Sequence, residues 1–327
     1  MSEIWIIGDM HLGHRNIILH AMRRAWMSTN LAFDLSKPIH FKFNFPWKVT
    51  DEDLERHDTE MIDRINSMVS KHDILIILGD FAFSNHEKYL MRIKGKKTLV
   101  ESMSSDGVYP VDVKQEDGVY SVFVEGNHDD MNSNAKRHFK EICQISRKML
   151  PLEQKYIDEF VEQHEKWKTM LSKGVLPADR SRIEGMSRHY GQYKHPQHNR
   201  QDVSFSHYAM GTWASSPHGS WNIFAHSHGR YPEWSGKLQF DGGVDVWDYG
   251  PLNWTWGQER MMRKLRELWA SNECFVDGET IADDFKRMTL RERVFLARQR
   301  NMAVLQDAGV AIKHSNMLEI DQIPGSD

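Results

Sequence analysis

Residues that can bind metal ions or exchange protons follow five short apolar runs of the chain. A short run of this kind, ended by glycine or a polar residue, is typical of a buried β-strand. Because ligand sites in α/β proteins gather outside the carboxyl ends of the strands, we expect these polar side chains to meet at one edge. The set consists of Asp9, His11, Asp80, Asn127, His207, His226 and His228, with His128 beside them.

This combination of imidazole, carboxylate and amide groups predicts a pair of divalent metal ions. No cysteine accompanies the set, and imidazole with carboxylate suits manganese, iron, zinc or nickel. Two such ions, about 3.5–4 Å apart, can hold both ends of a phosphoryl transfer, and a carboxylate such as Asp80 can bridge them. A water shared between the ions loses its proton readily and becomes the nucleophile.

Each cluster taken alone has a simpler interpretation. Asp9 could cap a helix, Asp80 could mark a strand-to-turn junction, and Asn127 could be a turn residue because Asn tolerates left-handed backbone. The histidines could lie on the surface, or the last pair could form an isolated metal site. The order of the clusters and their repeated placement after strands favour one shared site.

The positions of these residues depend on the elements predicted around them. Apolar runs predict strands over Ile4–Ile7 and Ile74–Leu78, and a helical apolar face predicts a helix over residues 14–27. Thr50 and Asp53 have the spacing of a helix start, and helical periodicity follows them.

The rest of the chain alternates between strand and helix patterns. Leu238–Phe240 and Val244–Trp247 are predicted to pair as a hairpin over Asp241–Gly243, since Asp and Gly favour tight turns. Helical patterns extend over Leu152–Leu171 and roughly over Gln258–Asn316. The other predicted strands are Thr98–Val100, Val108–Val113, Val119–Val124, Val203–Phe205 and Trp221–Phe224.

Composition narrows the functional classes. The chain has 327 residues and a net charge of -4 with His neutral, so no chain-wide basic field favours nucleic-acid binding. Its two cysteines, Cys143 and Cys274, cannot build a disulfide framework, which predicts a reducing, cytoplasmic location. No signal-peptide core surrounds Asp9, and no apolar stretch reaches the roughly 18 residues of a membrane span, so no membrane partner is expected.

In order along the chain, Asp9-x-His11, Gly79-Asp80, Gly126-Asn127-His128-Asp129, His207 and His226-x-His228 resemble the signature of the calcineurin-like metallophosphoesterase superfamily. The resemblance implies an α/β (α+β) fold, with a four-layer αββα sandwich. It also implies the following division of the chain: a domain over 1–257 with insertions near 101–119 and 150–202, and a helical C-terminal extension over 258–327.

The resemblance implies a role for each site residue. One divalent ion would be held by Asp9, His11, Asp80 and His228, and a second by Asp80, Asn127, His207 and His226. His128 would not be a ligand but would face the leaving group, as a general acid or to stabilise transition-state charge. Asp129 either orients His128 or serves as a turn residue. Manganese is the first expectation for both ions, with iron, zinc, nickel or magnesium as alternatives.

The sequence departs from the family pattern at two positions, and one of them indicates the branch of the superfamily that it resembles. Ala225 stands where the family usually has Gly before the paired histidines. Gly79-Asp80 continues as Phe81–Phe83, without the Asp-Arg-Gly of protein Ser/Thr phosphatases, which argues against the phosphoprotein branch. The segment Asp9–His14 instead resembles the Asp-x-His-x-Gly-His of small bacterial and phage-type phosphoesterases.

Two further histidines are candidates for substrate contact. His14 follows His11 by three residues at the start of a predicted helix, whose amino end favours phosphate. The alternative for His14 is an ordinary surface position on that helix. His218, in Pro217-His218-Gly219, lies between two predicted ligand histidines and could also face substrate.

These residues together predict metal-dependent hydrolysis of phosphate mono- or diesters, with a small or nucleotide substrate. The basic segment 173–202 motivates an alternative, a nuclease of the same superfamily acting on DNA or RNA. Charged segments are more often simply solvated, and the acidic net charge does not favour nucleic acid. A third hypothesis, a non-catalytic interaction scaffold, is disfavoured because the whole ligand set is present.

Overall fold

The chain adopts a mixed α/β fold, and its computed structural model describes residues 3–21, 23–26, 49–93, 121–129, 141–173, 199–216, 219–231, 237–270 and 288–314. Within these ranges it forms two sheets and six helices. The strands are β1 (Ile4–Ile7), β2 (Ile74–Ile77), β3 (Ser121–Val124), β4 (Glu141–Cys143), β5 (Ile145–Pro151), β6 (Arg200–Ser206), β7 (Trp221–Phe224), β8 (Gln239–Asp241) and β9 (Leu252–Asn253). The helices are α1 (Ile17–His20), α2 (Asp51–Met68), α3 (His86–Arg92), α4 (Gln154–Ser172), α5 (Trp254–Ala270) and α6 (Leu290–Asp307).

The first sheet has the strand order β4-β3-β2-β1-β9, and only β9 runs antiparallel to its neighbour. Ile4 aligns with Ile74 and Ile7 with Ile77, so β1 and β2 end level with one another. Both strands are buried along their whole length, which their unbroken apolar sequence allows. The residues that follow β1, β2 and β3 therefore come together at one edge.

The second sheet has the order β5-β6-β7-β8, in which β5 is antiparallel to β6 and the other three strands are parallel. This parallel arrangement places the ends of β6 and β7 side by side. The histidines that follow these two strands are His207, His226 and His228.

The predicted hairpin of Leu238–Phe240 with Val244–Trp247 is wrong. β8 pairs in parallel with β7, and Val244–Val246 forms a 3-10 turn. The chain bends because the carboxylate of Asp241 accepts the amide of Gly243 at 2.8 Å, and because Val244 N donates to Gly8 O at 3.0 Å, beyond β1. Asp241 therefore ends a strand instead of starting a hairpin turn.

The apolar residues of the two sheets share one buried cluster. It contains Ile6 of the first sheet and Phe205 of the second, together with residues from α4, α5 and α6. The opposite face of the first sheet, which carries Trp5 and Ile7, packs in a second cluster with α1 and α2. The strands of the first sheet thus bury alternate side chains in different clusters, as the period of a strand requires.

The two helices predicted near the amino-terminal half have different outcomes. α2 begins after Thr50, whose side chain and that of Asp53 form a reciprocal capping box, as the sequence predicts. The helix predicted over residues 14–27 is only partly correct, since α1 ends at His20 and a 3-10 turn follows at Arg24–Trp26. Helical continuation fails there because the Arg23 side chain turns into the protein interior, where it is fully buried.

The helices of the C-terminal region pack on the sheets. α5 starts at Trp254, before the predicted Gln258, and α6 ends at Asp307 instead of near Asn316. Met261 of α5 and Leu305 of α6 belong to the cluster shared by both sheets. Among the described residues, no helix is both long and apolar enough to cross a membrane.

The region predicted as an insertion at 150–202 contains regular structure. The helix predicted over Leu152–Leu171 is confirmed as α4, and β6 begins at Arg200, inside the region predicted as an insertion. Residues 174–198 lie outside the described residues, as do the insertion 101–119 and the predicted strands Thr98–Val100 and Val108–Val113.

Candidate metal centre

The five predicted strand ends meet at one place. The loop after β1 runs beside the loop after β2, with Asp9 N donating to Gly79 O at 3.1 Å and His11 N to Asp80 O at 2.8 Å. The second sheet joins them because His226 N donates to Asp9 Oδ1 at 2.9 Å. The sequence-based prediction that these clusters share one edge is therefore correct in geometry.

Most of the predicted ligands lie in left-handed backbone. The φ values are 57° for Asp9, 52° for His11, 48° for Asp80, 63° for His226 and 49° for His228. Residues other than glycine reach this region at a cost of about 1–3 kcal/mol each, and such positions cluster at functional sites. The strain turns each side chain sharply away from its strand and towards the others.

Ala225, at the position where the sequence departs from the pattern it resembles, is accommodated at the junction of the two sheets. Its methyl group faces Gly8, where an added Cβ would lie only 2.7 Å from the Cβ of Ala225. The space for this methyl group exists because position 8 is glycine. With alanine at position 225, the backbone amide of His226 reaches Asp9 Oδ1.

Three predicted ligands surround one nitrogen of a fourth. His207 Nε2 lies 3.4 Å from Asp80 Oδ2, 3.2 Å from Asn127 Oδ1 and 3.2 Å from His226 Nδ1. Ligand atoms about 2.1 Å from one ion lie roughly 3.0–3.4 Å apart in octahedral or tetrahedral geometry. The spacing of this group, the second predicted ligand set, is therefore suitable for a single divalent ion.

The chemistry of these atoms also suits a cation. His207 Nδ1 lies 2.7 Å from Leu78 O, which only accepts hydrogen bonds, so Nδ1 carries a proton. In the neutral ring, Nε2 then presents a lone pair towards the oxygens of Asp80 and Asn127. Lone pairs at this distance repel one another unless a proton or a metal ion lies between them.

The residues predicted around the first ion contain buried polar atoms without partners. Among the described residues, Asp9 Oδ2 and both ring nitrogens of His11 have no hydrogen-bond partner. Buried polar groups are normally hydrogen-bonded, and an unpaired one often marks a position where an ion binds. The unpaired atoms fit a metal ion as their common ligand.

The pKa values of the cluster reflect the crowding of these groups. Burial raises the pKa of Asp9 to about 7, and burial lowers that of His11 to about 2. Burial alone would lower the pKa of His207, but the contact with Asp80 and the charge of Asp9 raise it to about 9. These shifts describe a site in which carboxylates and imidazoles compete for protons, and a bound cation would replace those protons.

His228, predicted as the fourth ligand of the first ion, contacts both His11 and a carboxylate. Its ring stacks on that of His11 at a centroid distance of 5.3 Å, while its Nδ1 lies 2.6 Å from Asp245 Oδ2. Burial alone would lower its pKa, but the carboxylates of Asp245 and Asp9 raise it. A carboxylate partner of this kind is typical of histidines that bind metal through the other nitrogen.

His128 lies within the same cluster. A ring nitrogen of His128, one of His11 and a carboxylate oxygen of Asp80 lie within 4.8 Å of one another, and the backbone amide of His128 donates to Asp80 Oδ1 at 2.9 Å. This distance allows either a ligand or a group that faces the substrate. The sequence-based role of His128 as a non-ligand acid stays a prediction.

Asp129 serves the turn rather than the His128 ring. Its carboxylate accepts the backbone amides of Gly126 at 2.8 Å, Asp80 at 2.7 Å and Phe81 at 3.0 Å. It also lies 3.3 Å from His86 Nε2. Of the two interpretations offered by the sequence, these contacts favour the turn residue, which fixes the strand ends that carry Asp80 and Asn127.

Of the two histidines predicted to contact substrate, the structure describes only His14. His14 lies beside the cluster, with its ring 5.5 Å from that of His11 and 5.7 Å from that of His128. It does not lie at a helix amino end, because α1 begins three residues later and has only four residues. His14 stacks on the half-exposed ring of Phe83 at 4.6 Å. His218 lies outside the described residues.

Three residues of the site are missing from the sequence-based set. Asp245 contacts His228, the buried Arg23 contacts Asp245, and Tyr208 donates to Asn127 Oδ1 at 3.2 Å. Asp245 lies just after β8, where polar residues at the carboxyl end of a strand are candidates for a site. It is missing from the predicted set because the predicted hairpin assigns this residue to its second strand. No sequence signal distinguishes Arg23 from an ordinary helical arginine.

Comparisons with known proteins add little. No family model matches the chain, and no curated protein matches it. A solved structure of the protein of unknown function AQ665 from Aquifex aeolicus shares 15% sequence identity and covers 81% of this chain and 100% of that chain, with a TM-score of 0.35. A TM-score this low carries no argument about fold or function.

Proposed function

We propose that this protein is a metal-dependent hydrolase of phosphate esters with a centre for two divalent ions. The observation that carries the proposal is the group around His207 Nε2, where Asp80, Asn127 and His226 each place a ligand atom within 3.4 Å. The unpaired atoms of Asp9 and His11 support a second ion beside it. Asp80 contributes to both halves, as a bridging carboxylate would.

The proposal assigns a distinct task to each side chain. The two ions, when bound, would polarise a phosphoryl oxygen and activate a water molecule. Asp80 stays ionised because contacts with His207 hold its pKa below the ordinary value, against the effect of burial. His128, fixed through its backbone amide to Asp80, would hold or donate a proton at the leaving oxygen.

The finer structural and cellular expectations belong to the same proposal. They are membership of the calcineurin-like metallophosphoesterase superfamily, a four-layer αββα sandwich, manganese as the first metal and a cytoplasmic location. The two sheets that share one apolar cluster support the sandwich. The nuclease alternative depends on the basic segment 173–202, of which residues 174–198 lie outside the described residues.

The test is metal-dependent turnover by the purified full-length protein. After treatment with a chelator, the protein is titrated with Mn²⁺ and assayed on bis(p-nitrophenyl) phosphate and on p-nitrophenyl phosphate. We expect hydrolysis of at least one ester to appear with Mn²⁺ and to saturate near two ions per chain. Absence of turnover on both esters and on single-stranded nucleic acid, at full metal occupancy, would contradict the proposal.

A variant of the exposed ligand strengthens this test. His226 is exposed, so His226→Gln should leave the fold intact while it removes one ligand of the His207 group. We expect weaker binding of one ion and loss of turnover. His72→Gln, at an exposed histidine in the turn before β2, is the matched control and should retain both properties.

A further inference from the structure

Arg23 is the most fully engaged charged residue near the candidate metal centre. It lies between α1 and the 3-10 turn Arg24–Trp26, and its side chain is completely buried. A buried guanidinium requires a partner for each of its five N–H donors. The partners found around Arg23 account for all five.

Two of these donors hold the segment that begins the metal centre. Nη2 donates to Asp9 O at 2.5 Å, and Nη1 donates to Met10 O at 2.9 Å. These carbonyls belong to the left-handed stretch that turns the side chains of Asp9 and His11 towards the site. The guanidinium therefore provides hydrogen-bond donors to the carbonyls of Asp9 and Met10.

Two further donors form a bidentate pair with Asp245. Nε donates to Oδ1 at 2.9 Å, and Nη2 donates to Oδ2 at 2.8 Å. A bidentate pair with a guanidinium is the geometry of an ionised carboxylate. An ionised Asp245 can only accept, so the contact of 2.6 Å fixes a proton on Nδ1 of His228 and leaves Nε2 for another ligand.

The fifth donor of Arg23 is connected to the loop after β1 through His57 and Asp58. Arg23 Nη1 donates to His57 Nε2 at 2.8 Å, so the other nitrogen of His57 donates to Asp58 Oδ1 at 2.9 Å. Asp58 Oδ2 in turn accepts the backbone amide of Gly13 at 3.0 Å. The loop after β1 is thus held at both of its ends, by Arg23 directly and by Arg23 through two side chains.

We propose that Arg23 is a positioning residue for the candidate metal centre, fixing the segment Asp9–His11 through its carbonyls and the ring of His228 through Asp245. This inference rests on the proposed metal centre but not on the proposed reaction. It connects ligands from both sheets, since His228 follows β7 and Asp9 follows β1. A metal ion at the first site would find both ligand groups already oriented.

A purely stabilising role explains the arrangement less well. Buried ion pairs add little net stability, because the cost of removing both charges from water offsets their attraction. The planar guanidinium instead fixes the relative positions of its partners, because one group binds two carbonyls, a carboxylate and an imidazole. Lysine, with three donors and no fork, cannot reproduce this set.

The test compares metal affinity, not activity, across matched variants of the full chain. Mn²⁺ binding to metal-free protein is measured by calorimetry for wild type, Arg23→Lys and Asp245→Asn, and thermal unfolding of each metal-free protein is recorded in parallel. Loss of such a supporting partner typically weakens metal binding about 10- to 100-fold. We expect this loss for one of the two ions in both variants. Arg56→Lys, at a half-exposed arginine on α2, is the control and should bind as wild type does.

The outcomes separate the two proposals. If Arg23→Lys and Asp245→Asn bind both ions with wild-type affinity, the positioning role is overturned while the metal centre stands. If wild type binds Mn²⁺ but hydrolyses no phosphoester, the proposed function fails while the positioning role can still be upheld. If wild type binds no divalent ion, both proposals fall. Asp245→Asn preserves the donors to Asp9 and Met10, so it covers the case in which Arg23→Lys does not fold.

Discussion

The carboxylate of Asp80 and the imidazole of His207 face each other with Oδ2 and Nε2 3.4 Å apart. That separation is too long for a strong hydrogen bond and suits two ligands of one ion. Asp80 Oδ2 is also 3.4 Å from His11 Nε2. One carboxylate oxygen therefore lies at the boundary between the two halves of the candidate metal centre.

Asp80→Asn should weaken the binding of both ions. The amide removes the negative charge between the two imidazoles, so we expect at least about a 100-fold loss in Mn²⁺ affinity, because a ligand matters more than its supporting partners. Calorimetry on metal-free protein measures the affinity, and the p-nitrophenyl esters measure turnover. Asp63→Asn, on the exposed face of α2, makes the same chemical change and should be neutral. Wild-type stoichiometry in Asp80→Asn would rule out the bridging role.

Gly243→Ala should weaken metal binding without removing any ligand. A Cβ at this position would lie 2.7 Å from Asp9 Oδ2, the buried oxygen that has no hydrogen-bond partner among the described residues. The methyl group must displace that carboxylate or the loop that carries position 243. We expect Mn²⁺ affinity to fall about 10-fold or more, by the same reasoning as for other misplaced supporting groups.

Gly211→Ala provides the comparison for this variant. An added Cβ at Gly211 meets nothing within 4 Å, so the substitution should leave metal affinity unchanged. Equal affinities for Gly243→Ala and wild type would contradict the expected displacement of Asp9 Oδ2 and would count against it as a ligand.

His128→Ala should retain both ions and lose turnover. In the proposed reaction the imidazole serves the leaving group, and removal of a general acid typically costs about 10²- to 10⁴-fold in rate. Metal content by elemental analysis and kcat on bis(p-nitrophenyl) phosphate give the two readouts. His72→Ala is the matched exposed control. Because His128 lies within 4.8 Å of the ligand atoms of His11 and Asp80, loss of one ion from His128→Ala would assign it as a ligand instead.

The sequence predicts the core of the site because strand ends follow a simple rule. A buried apolar run that ends at Gly or a polar residue marks the edge of a parallel sheet, and the structure brings Asp9, Asp80, Asn127, His207 and His226 together at such an edge, while their role as ligands stays a prediction. The structure brings their ligand atoms or backbone together as expected. The rule requires no knowledge of how the two sheets pack.

The parts that sequence could not predict depend on contacts between distant segments. Asp241 ends β8 because its carboxylate accepts amides of Gly229 and Gly243, so local turn preference gave a hairpin where none exists. Arg23 interrupts a helical pattern because it bonds to Asp245, 222 positions further along the chain. Neither contact has a periodicity that a sequence window could show.

His57→Gln should make folding stability less sensitive to acid. His57 is completely buried between Arg23 and Asp58, and burial lowers its pKa despite the hydrogen bond with Asp58. An imidazole in the unfolded chain titrates near pH 6.5, so below that pH the unfolded state binds a proton that the folded state rejects. The free energy of unfolding of the wild type should therefore decrease as the pH falls. His57 contributes up to about 1.4 kcal/mol of this decrease per pH unit.

Urea unfolding of the metal-free proteins at pH 7.5, 6.5 and 5.5 measures this slope. The His57→Gln variant is less stable than wild type at pH 7.5, because it loses buried contacts, but its stability should fall less steeply towards pH 5.5. Other buried histidines, such as His314, contribute equally to both proteins, so the difference in slope isolates His57. His72→Gln, at an exposed position, should keep the wild-type slope. Parallel pH profiles for wild type and His57→Gln would show that His57 takes up a proton as readily in the folded as in the unfolded protein, and would contradict its role as the acceptor of the Arg23 Nη1 hydrogen bond.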